Sequence, residues 1–253
     1  GESEYQREIF DVNMGISKNY EKLERSQEAA QAMGIAIEAA KVIEIEELDD
    51  LLRDQGRYWF SAGQYENSIA CHQEAIVQTE MFLREESFGI DYFNIGMGLF
   101  ELGRYQESID AYLKSRAAFK ASDEITSVVD CDFRLAENYA ELKGPINVIH
   151  YGQRALDFFT VLDDYRKIWT LKYFLGSAHH LLGDNETAGR LLDEARNLAQ
   201  AMGWKEWEFL IKVDEELAKI YEGNSMHEQA TELRRRVATV KELAAKDVTD
   251  EAA

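Results

Sequence analysis

Only one proline, Pro145, and two cysteines, Cys71 and Cys131, occur in the 253 residues of this chain. Scarce proline leaves long helices uninterrupted, because proline removes an amide donor and clashes with the preceding turn. The two cysteines have neither metal-ligand nor redox spacing, which points to free thiols in a reducing cytoplasm. No apolar stretch reaches the length needed to span a bilayer. The start, Gly1-Glu-Ser-Glu-Tyr5, lacks the basic and apolar regions of a signal peptide. Basic residues are few as well: 28 Lys and Arg face 48 Asp and Glu, a net charge of −20. Such a surface repels DNA or RNA, so nucleic acid is excluded as a partner. The one basic run, Arg234-Arg235-Arg236, lies among Glu228, Glu232 and Glu242, which reach it at helical spacing. The first residue is Gly rather than Met, so a chain trimmed from a longer protein with further domains is expected.

What is present is a core and a beat. Hydrophobic residues make up 45% of the chain and charged residues 30%, which argues against disorder. Four ten-residue segments beginning at Gly56, Gly96, Ala136 and Gly176 align 40 residues apart, and a fifth begins two residues late at Ala218. Twelve residues after each of the first four stand Ser68, Ser108, Val148 and Ala188. Small residues at these places let two helices of a hairpin cross closely, where a larger side chain would hold them apart. Gly63, Gly103, Gly183 and Gly223 follow the first helices as stops, where a left-handed backbone costs glycine little.

First helices are therefore expected near 47–62, 87–102, 126–142, 166–182 and 207–222. Second helices are expected near 65–83, 105–121, 146–162, 185–202 and 226–245. A degenerate opening pair occupies 3–22 and 26–43, and Asp123, Asp163 and Asp184 are expected N-caps. The chain so divides into an opening pair at 1–46, five hairpins over 47–245 and a fraying tail at 246–253.

A nucleotide-binding reading of Gly96, Gly98 and Gly103 fails on context. A phosphate-cradling loop follows a strand and opens a helix, whereas Ile95, Leu99 and Leu102 repeat at helical spacing across these glycines. Metal and catalytic readings fail too, and no cofactor is expected. His179 and His180 point about 100° apart on a helix. His227-Glu228 lacks the second histidine of a helical zinc site, and Cys71-His72 splay too far to form a nucleophile–base pair. The acidic pairs Asp49-Asp50, Asp163-Asp164 and Glu215-Glu216 are read as helix-start or surface charges. The chain is not expected to be an enzyme.

The second hairpin carries Tyr92, Ile95-Gly96, Leu99, Gly103-Arg104-Tyr105 and Ser108, and the fourth carries Leu175-Gly176, Gly183, Ala188 and Ala195. This pattern, over roughly 47–240, resembles the tetratricopeptide repeat family in its longer, 40-residue form. The resemblance implies an all-α, right-handed solenoid of stacked antiparallel helix pairs, with the first helix of each pair lining a concave groove. In that phase the groove holds Arg53, Arg57 and Phe60 from the first hairpin, and Phe93, Asn94, Met97 and Phe100 from the second. Phe133 and Arg134 follow from the third, and Tyr173 and Phe174 from the fourth. It also places Asn94 where the family grips a ligand backbone. The family's carboxylate clamp maps to Arg53, Arg57, Asn94, Asp130 and Arg134, with Arg57 replacing an amide and Asp130 reversing a charge. A weaker form leaves Arg53, Arg57 and Arg134 to pair with an acidic group on a peptide.

The expected function is a scaffold that binds a peptide or partner helix in this groove. The alternative is the peptide-sensing regulatory module of a larger signalling or transcription-regulating protein. Self-association through the end repeats is a further expectation, since no strongly polar cap precedes residue 3.

Overall fold

The computed structural model describes residues 1–81, 88–202 and 207–251, and among them it is a stacked solenoid of antiparallel helix pairs with no strand. Two compact units divide the chain, Gly1–Cys131 and Asp132–Ala253. The first contains α1 (Glu2–Lys22), α2 (Ser26–Val42), α3 (Leu48–Ser61), α4 (Tyr65–Met81), α5 (Phe88–Glu101) and α6 (Tyr105–Ala121). The dividing point falls within α7 (Ile125–Glu141). The second unit continues with α8 (Pro145–Val161), α9 (Tyr165–Leu181), α10 (Asn185–Ala201), α11 (Trp207–Gly223) and α12 (His227–Glu251). Helix bounds sit within one or two residues of those expected from the sequence, except that α12 runs on into the segment 246–253. Expected helix ends at 82–83 and 87 lie outside the described residues, as do positions 252–253.

Close approach within each hairpin rests on the small residues. A Cβ placed on Gly96 would lie 2.9 Å from the Tyr112 ring of α6, and one on Gly176 would lie 2.8 Å from Leu192 of α10. Ala136, Ser68, Ser108 and Ala188 have no exposed surface. The contact is polar as well as steric, since the Ser108 hydroxyl donates to the Gly96 carbonyl at 2.8 Å. Gly98 has a separate purpose. Its missing Cβ would meet Ile69 of α4 at 2.9 Å, so α5 is approached from both sides.

The turns share one chemistry. Gly63, Gly103, Lys143, Gly183 and Ser225 take positive φ. The next amide reaches back to the carbonyl five residues earlier, as in Gln64 to Trp59 at 2.9 Å and Gly144 to Tyr139 at 2.8 Å, which closes the helix end. Three expectations are corrected here. Gly223 ends α11 in helical conformation and Ser225 is the left-handed residue, following the two-residue shift of the fifth repeat. Asp163 and Asp123 also take positive φ, at the ends of α8 and α6. The N-cap is therefore the next residue, Asp164, whose carboxylate accepts from the Lys167 amide; Asp184 caps α10 as expected. Lys143 occupies the third turn because Gly144 then serves as N-cap and Pro145 enters at the first helical position, where its missing N–H costs nothing.

In the second unit a charged residue four positions before each lead residue pairs with the second helix of its hairpin. Asp132 faces Arg154 at 3.5 Å, Lys172 faces Glu194, and Asp214 faces Arg236 at 3.4 Å. In the first unit the matching contact is Lys114 over the Tyr92 ring at 5.3 Å. The basic run is paired residue by residue, with Arg234 on Glu222 and Arg235 on Glu232; Glu228 and Glu242 are not the partners these contacts show.

Two substitutions in the first unit separate packing from helix propensity. Gly96→Ala should lower unfolding free energy by about 1–3 kcal/mol through overpacking against Tyr112. Gly15→Ala, in a helix position with nothing within 4 Å, should raise it by about 0.5–1 kcal/mol. Urea denaturation measures both, and equal signs would contradict the close-approach account.

Candidate functional site

The first unit brings five of the sequence-selected residues together. A cleft of about 380 Å³ is lined by Arg53, Arg57 and Phe60 from α3 and by Asn94 and Met97 from α5. Asp54, Ser61, Ser68, His72 and Ile90 complete it. This volume is near the lower end of ligand pockets, about 300–1,000 Å³, and suits a side chain or two rather than a large cofactor. A smaller depression of about 150 Å³ adjoins it across Ile90, lined also by Phe93, Phe119, Ser127 and Asp130.

Helical spacing explains the layout. Asn94 and Met97 lie three apart on α5, one turn along the same face, while Ile95 and Leu99 face inward and are buried. Ile90 is 50% exposed, an aliphatic side chain held in water at the cleft rim. The Asn94 amide has no hydrogen-bond partner among the described residues and so keeps its donor and acceptor for an incoming group. On the cleft wall, the Ser68 hydroxyl is buried without a partner, although its counterpart Ser108 is satisfied. The aromatic rings pair off at the edges: Phe60 with Tyr65 at 5.3 Å, Phe93 with Tyr112 at 5.3 Å and Phe100 with Tyr105 at 5.4 Å.

Arg53 is not available to a ligand acid. Its Nε donates to Asp91 at 3.0 Å, and its Nη1 donates to Asp49 at 3.0 Å and to Asp50 at 2.9 Å. Its Nη2 donates to Thr79 at 2.8 Å and to Asp91 at 2.9 Å. All five guanidinium N–H groups are thereby used. His72 adds a ring-nitrogen contact to Asp91 at 2.9 Å, and Asp91, Asp49, Thr79 and His72 are all buried. Asp49 is thus a buried charge in the first turn of α3: the helix-start reading of the Asp49-Asp50 pair holds, and the surface reading does not hold for Asp49. This network ties α3 to α4 and α5, and sequence spacing did not reveal it. Asp49 and Arg53 one turn apart were its visible trace; His72 and Asp91 had none.

Arg57 is likewise engaged, with Glu21 at 3.0 Å and Asp54 at 3.2 Å, and lies over the Tyr58 ring. The Tyr58 hydroxyl donates to Glu21 and holds that carboxyl below its ordinary range; burial, with Glu21 beside it, pushes Tyr58 up to about 12. In the second unit Arg134 pairs with Glu137 at 2.8 Å. The three arginines expected to receive an acidic group all carry carboxylates of their own.

The second-unit aromatics are also absorbed. Phe133 is buried, and its ring contacts Phe159 and Phe174; Phe174 contacts Tyr173, and Tyr173 contacts Phe209, which reaches Trp169. This chain of rings runs through α8, α7, α9 and α11. Burial raises the Tyr173 phenol, with Glu216 contributing. Phe133, Tyr173 and Phe174 therefore join helices together rather than lining the cleft of the first unit.

Among the described residues no group of three or more His, Cys, Asp or Glu is placed to hold a metal ion, and no helix is long and apolar enough to cross a membrane. Both cysteines are buried thiols outside any disulfide, and burial pushes the Cys71 thiol up to about 11. His179 and His180 contact Asp184 and Asn185 in the turn after α9.

A scan against protein-family models and a search of curated proteins gave no match. Solved structures do match. A signal transduction ATPase with numerous domains (STAND) protein with a tetratricopeptide repeat sensor, from Pyrococcus horikoshii, aligns over 94% of this chain and 37% of its own, with TM-score 0.75 and 14% identity. BtubC (BKLC) from P. vanneervenii covers 95% of this chain and 92% of its own, with TM-score 0.66 and 14% identity. A Rap protein complexed with competence and sporulation factor covers 94% and 76%, with TM-score 0.57 and 14% identity. The fold is a tetratricopeptide-like helical solenoid. This chain spans little more than a third of the first of these proteins.

Removing Arg53 tests the network. Arg53→Ala leaves buried carboxylates without their cation and should destabilise the chain by about 3–5 kcal/mol. Arg53→Lys keeps the charge but not the five-donor fork, and should cost about 1–3 kcal/mol. Urea midpoints at neutral pH give both values.

Proposed function

We propose that this chain is the peptide-sensing regulatory module of a larger signalling protein, and that its ligand seats in the cleft between α3 and α5. The observation that carries this reading is the unpaired Asn94 amide set among Phe60, Ile90 and Met97. A side-chain amide offers a donor and an acceptor together, which matches a peptide bond and reads no side chain. The apolar neighbours supply the area that anchors one.

Two of the matched structures favour sensing over static scaffolding. One bears a tetratricopeptide repeat sensor on a signal transduction ATPase, and another was captured with a competence and sporulation factor. The 40-residue beat of the sequence supports reading the chain as the longer form of the repeat. Binding in the cleft bridges α3 and α5, helices of successive hairpins, so a ligand that prefers one spacing of them shifts their equilibrium.

Displayed random nonapeptides selected on the chain test the site. Enrichment is expected on the natural sequence and loss of at least about tenfold, some 1.4 kcal/mol, on Asn94→Ala combined with Met97→Ala. Thermal melting should move little, because both side chains are only partly buried. Hydrogen exchange with an enriched peptide bound should slow in α3 and α5. Enrichment unaffected by the double substitution rejects the cleft.

A further inference from the structure

From the charge around this cleft we infer that its ligand is a cationic peptide, one that sets an aliphatic side chain beside a Lys or Arg, and not an acidic one. The inference rests on the reading of the cleft as a peptide site and adds the chemistry of what enters it.

Within the network that floors and rims the cleft there are two guanidiniums. Arg53 meets Asp49, Asp50 and Asp91 and has no donor left. Arg57 is shared between Glu21 and Asp54. Among the described residues five carboxylates pair with these two guanidiniums, and even with the His72 ring beside Asp91 the acids outnumber the bases; Asp54 is the carboxylate that lines the cleft itself. Asp50 and Asp54 leave much of their surface to solvent, with side chains 66% and 49% exposed, so this surplus is presented outward. An entering carboxylate would meet no free guanidinium N–H on Arg53, and at Arg57 it would compete with Glu21 and Asp54, which already hold that cation. An entering ammonium or guanidinium finds carboxylate lone pairs that each make a single contact with an arginine, and a carboxylate accepts several hydrogen bonds.

The cleft also contains two unused polar groups that fit a peptide rather than a free ion. The Ser68 hydroxyl is fully buried and unpartnered on the wall, and the Asn94 amide is unpaired. Between them Phe60, Ile90 and Met97 form an apolar seat, and Ile90 continues into the second depression beside Phe93. An aliphatic side chain fills that seat while the cationic neighbour reaches Asp54.

Fluorescence anisotropy with three labelled nonapeptides that share their leucines and differ only in carrying Lys, Ser or Glu elsewhere tests the inference. The Lys peptide should bind at least about tenfold tighter than the Glu peptide, with the advantage shrinking as ionic strength rises through the range where the screening length falls from about 10 Å to about 3 Å. Asp50→Asn with Asp54→Asn should weaken the Lys peptide by about two- to thirtyfold, at about 0.2–1 kcal/mol for each exposed charge. Neutralising Glu228 and Glu232 in the other unit should leave it unchanged. An equal loss from that control, or Glu-peptide binding as tight as that of the Lys peptide, overturns the cationic ligand while leaving the cleft. Failure of all three peptides, or binding unaffected by Asn94→Ala with Met97→Ala, removes the cleft itself as a peptide site and this inference with it.

Discussion

How near two helices of a hairpin can come governs the rest of this structure. Side chains the size of a hydrogen, a methyl or a hydroxymethyl stand at the crossing, and their partners pack straight onto the opposing backbone, as Tyr112 does over Gly96 and Leu192 over Gly176. Once the helices touch there, the outward face of each pair is fixed and the next pair stacks on it. Buried leucines, isoleucines and aromatics then fill the space between neighbours, including Leu52, Ile109, Leu175 and Leu217. Several apolar clusters form in each unit between neighbouring helices, because no hairpin could bury its face alone.

That dependence is why most of the architecture was readable from residues. Steric demands at crossings and turns admit few residue types, so they leave a periodic mark. The mark blurs where several residue types suffice. Ser225 and Lys143 hold left-handed turns without glycine, and adjacent aspartates divide the labour at the start of α9, one in the turn and one capping. Of the candidate site, helical phase made legible that Arg53, Arg57, Phe60, Asn94 and Met97 share one cleft. It could not say which charges were already spent, because ion pairing is decided by residues distant in sequence: Asp91 lies 38 positions from Arg53. For the same reason helical phase did not show that Phe133, Tyr173 and Phe174 are also links in a chain of ring contacts.

Burying Arg53 among carboxylates changes what the cleft is made of. A cation held by fixed partners is a structural strut, and its rigidity keeps α3 at a set distance from α5 while the side chains above it remain adaptable. Met97 is flexible and Asn94 is uncommitted, so the seat is soft over a stiff floor. This arrangement suits a ligand recognised mainly by its backbone and one anchor.

Near-identical hairpins strung along one polypeptide risk exchanging partners as they form, and such misassembly is a common failure of repeat proteins. The three ion pairs that join the two helices of each hairpin in the second unit run in alternating polarity: acid to base, base to acid, acid to base. Were the first helix of one hairpin to close on the second helix of its neighbour, Lys172 would confront Arg154 or Arg236, and Asp132 or Asp214 would confront Glu194. Between adjacent hairpins, correct closure alone sets these opposite signs together. The reversal at Lys172 and Glu194 therefore works as a key cut for one lock, telling otherwise interchangeable segments which mate is theirs.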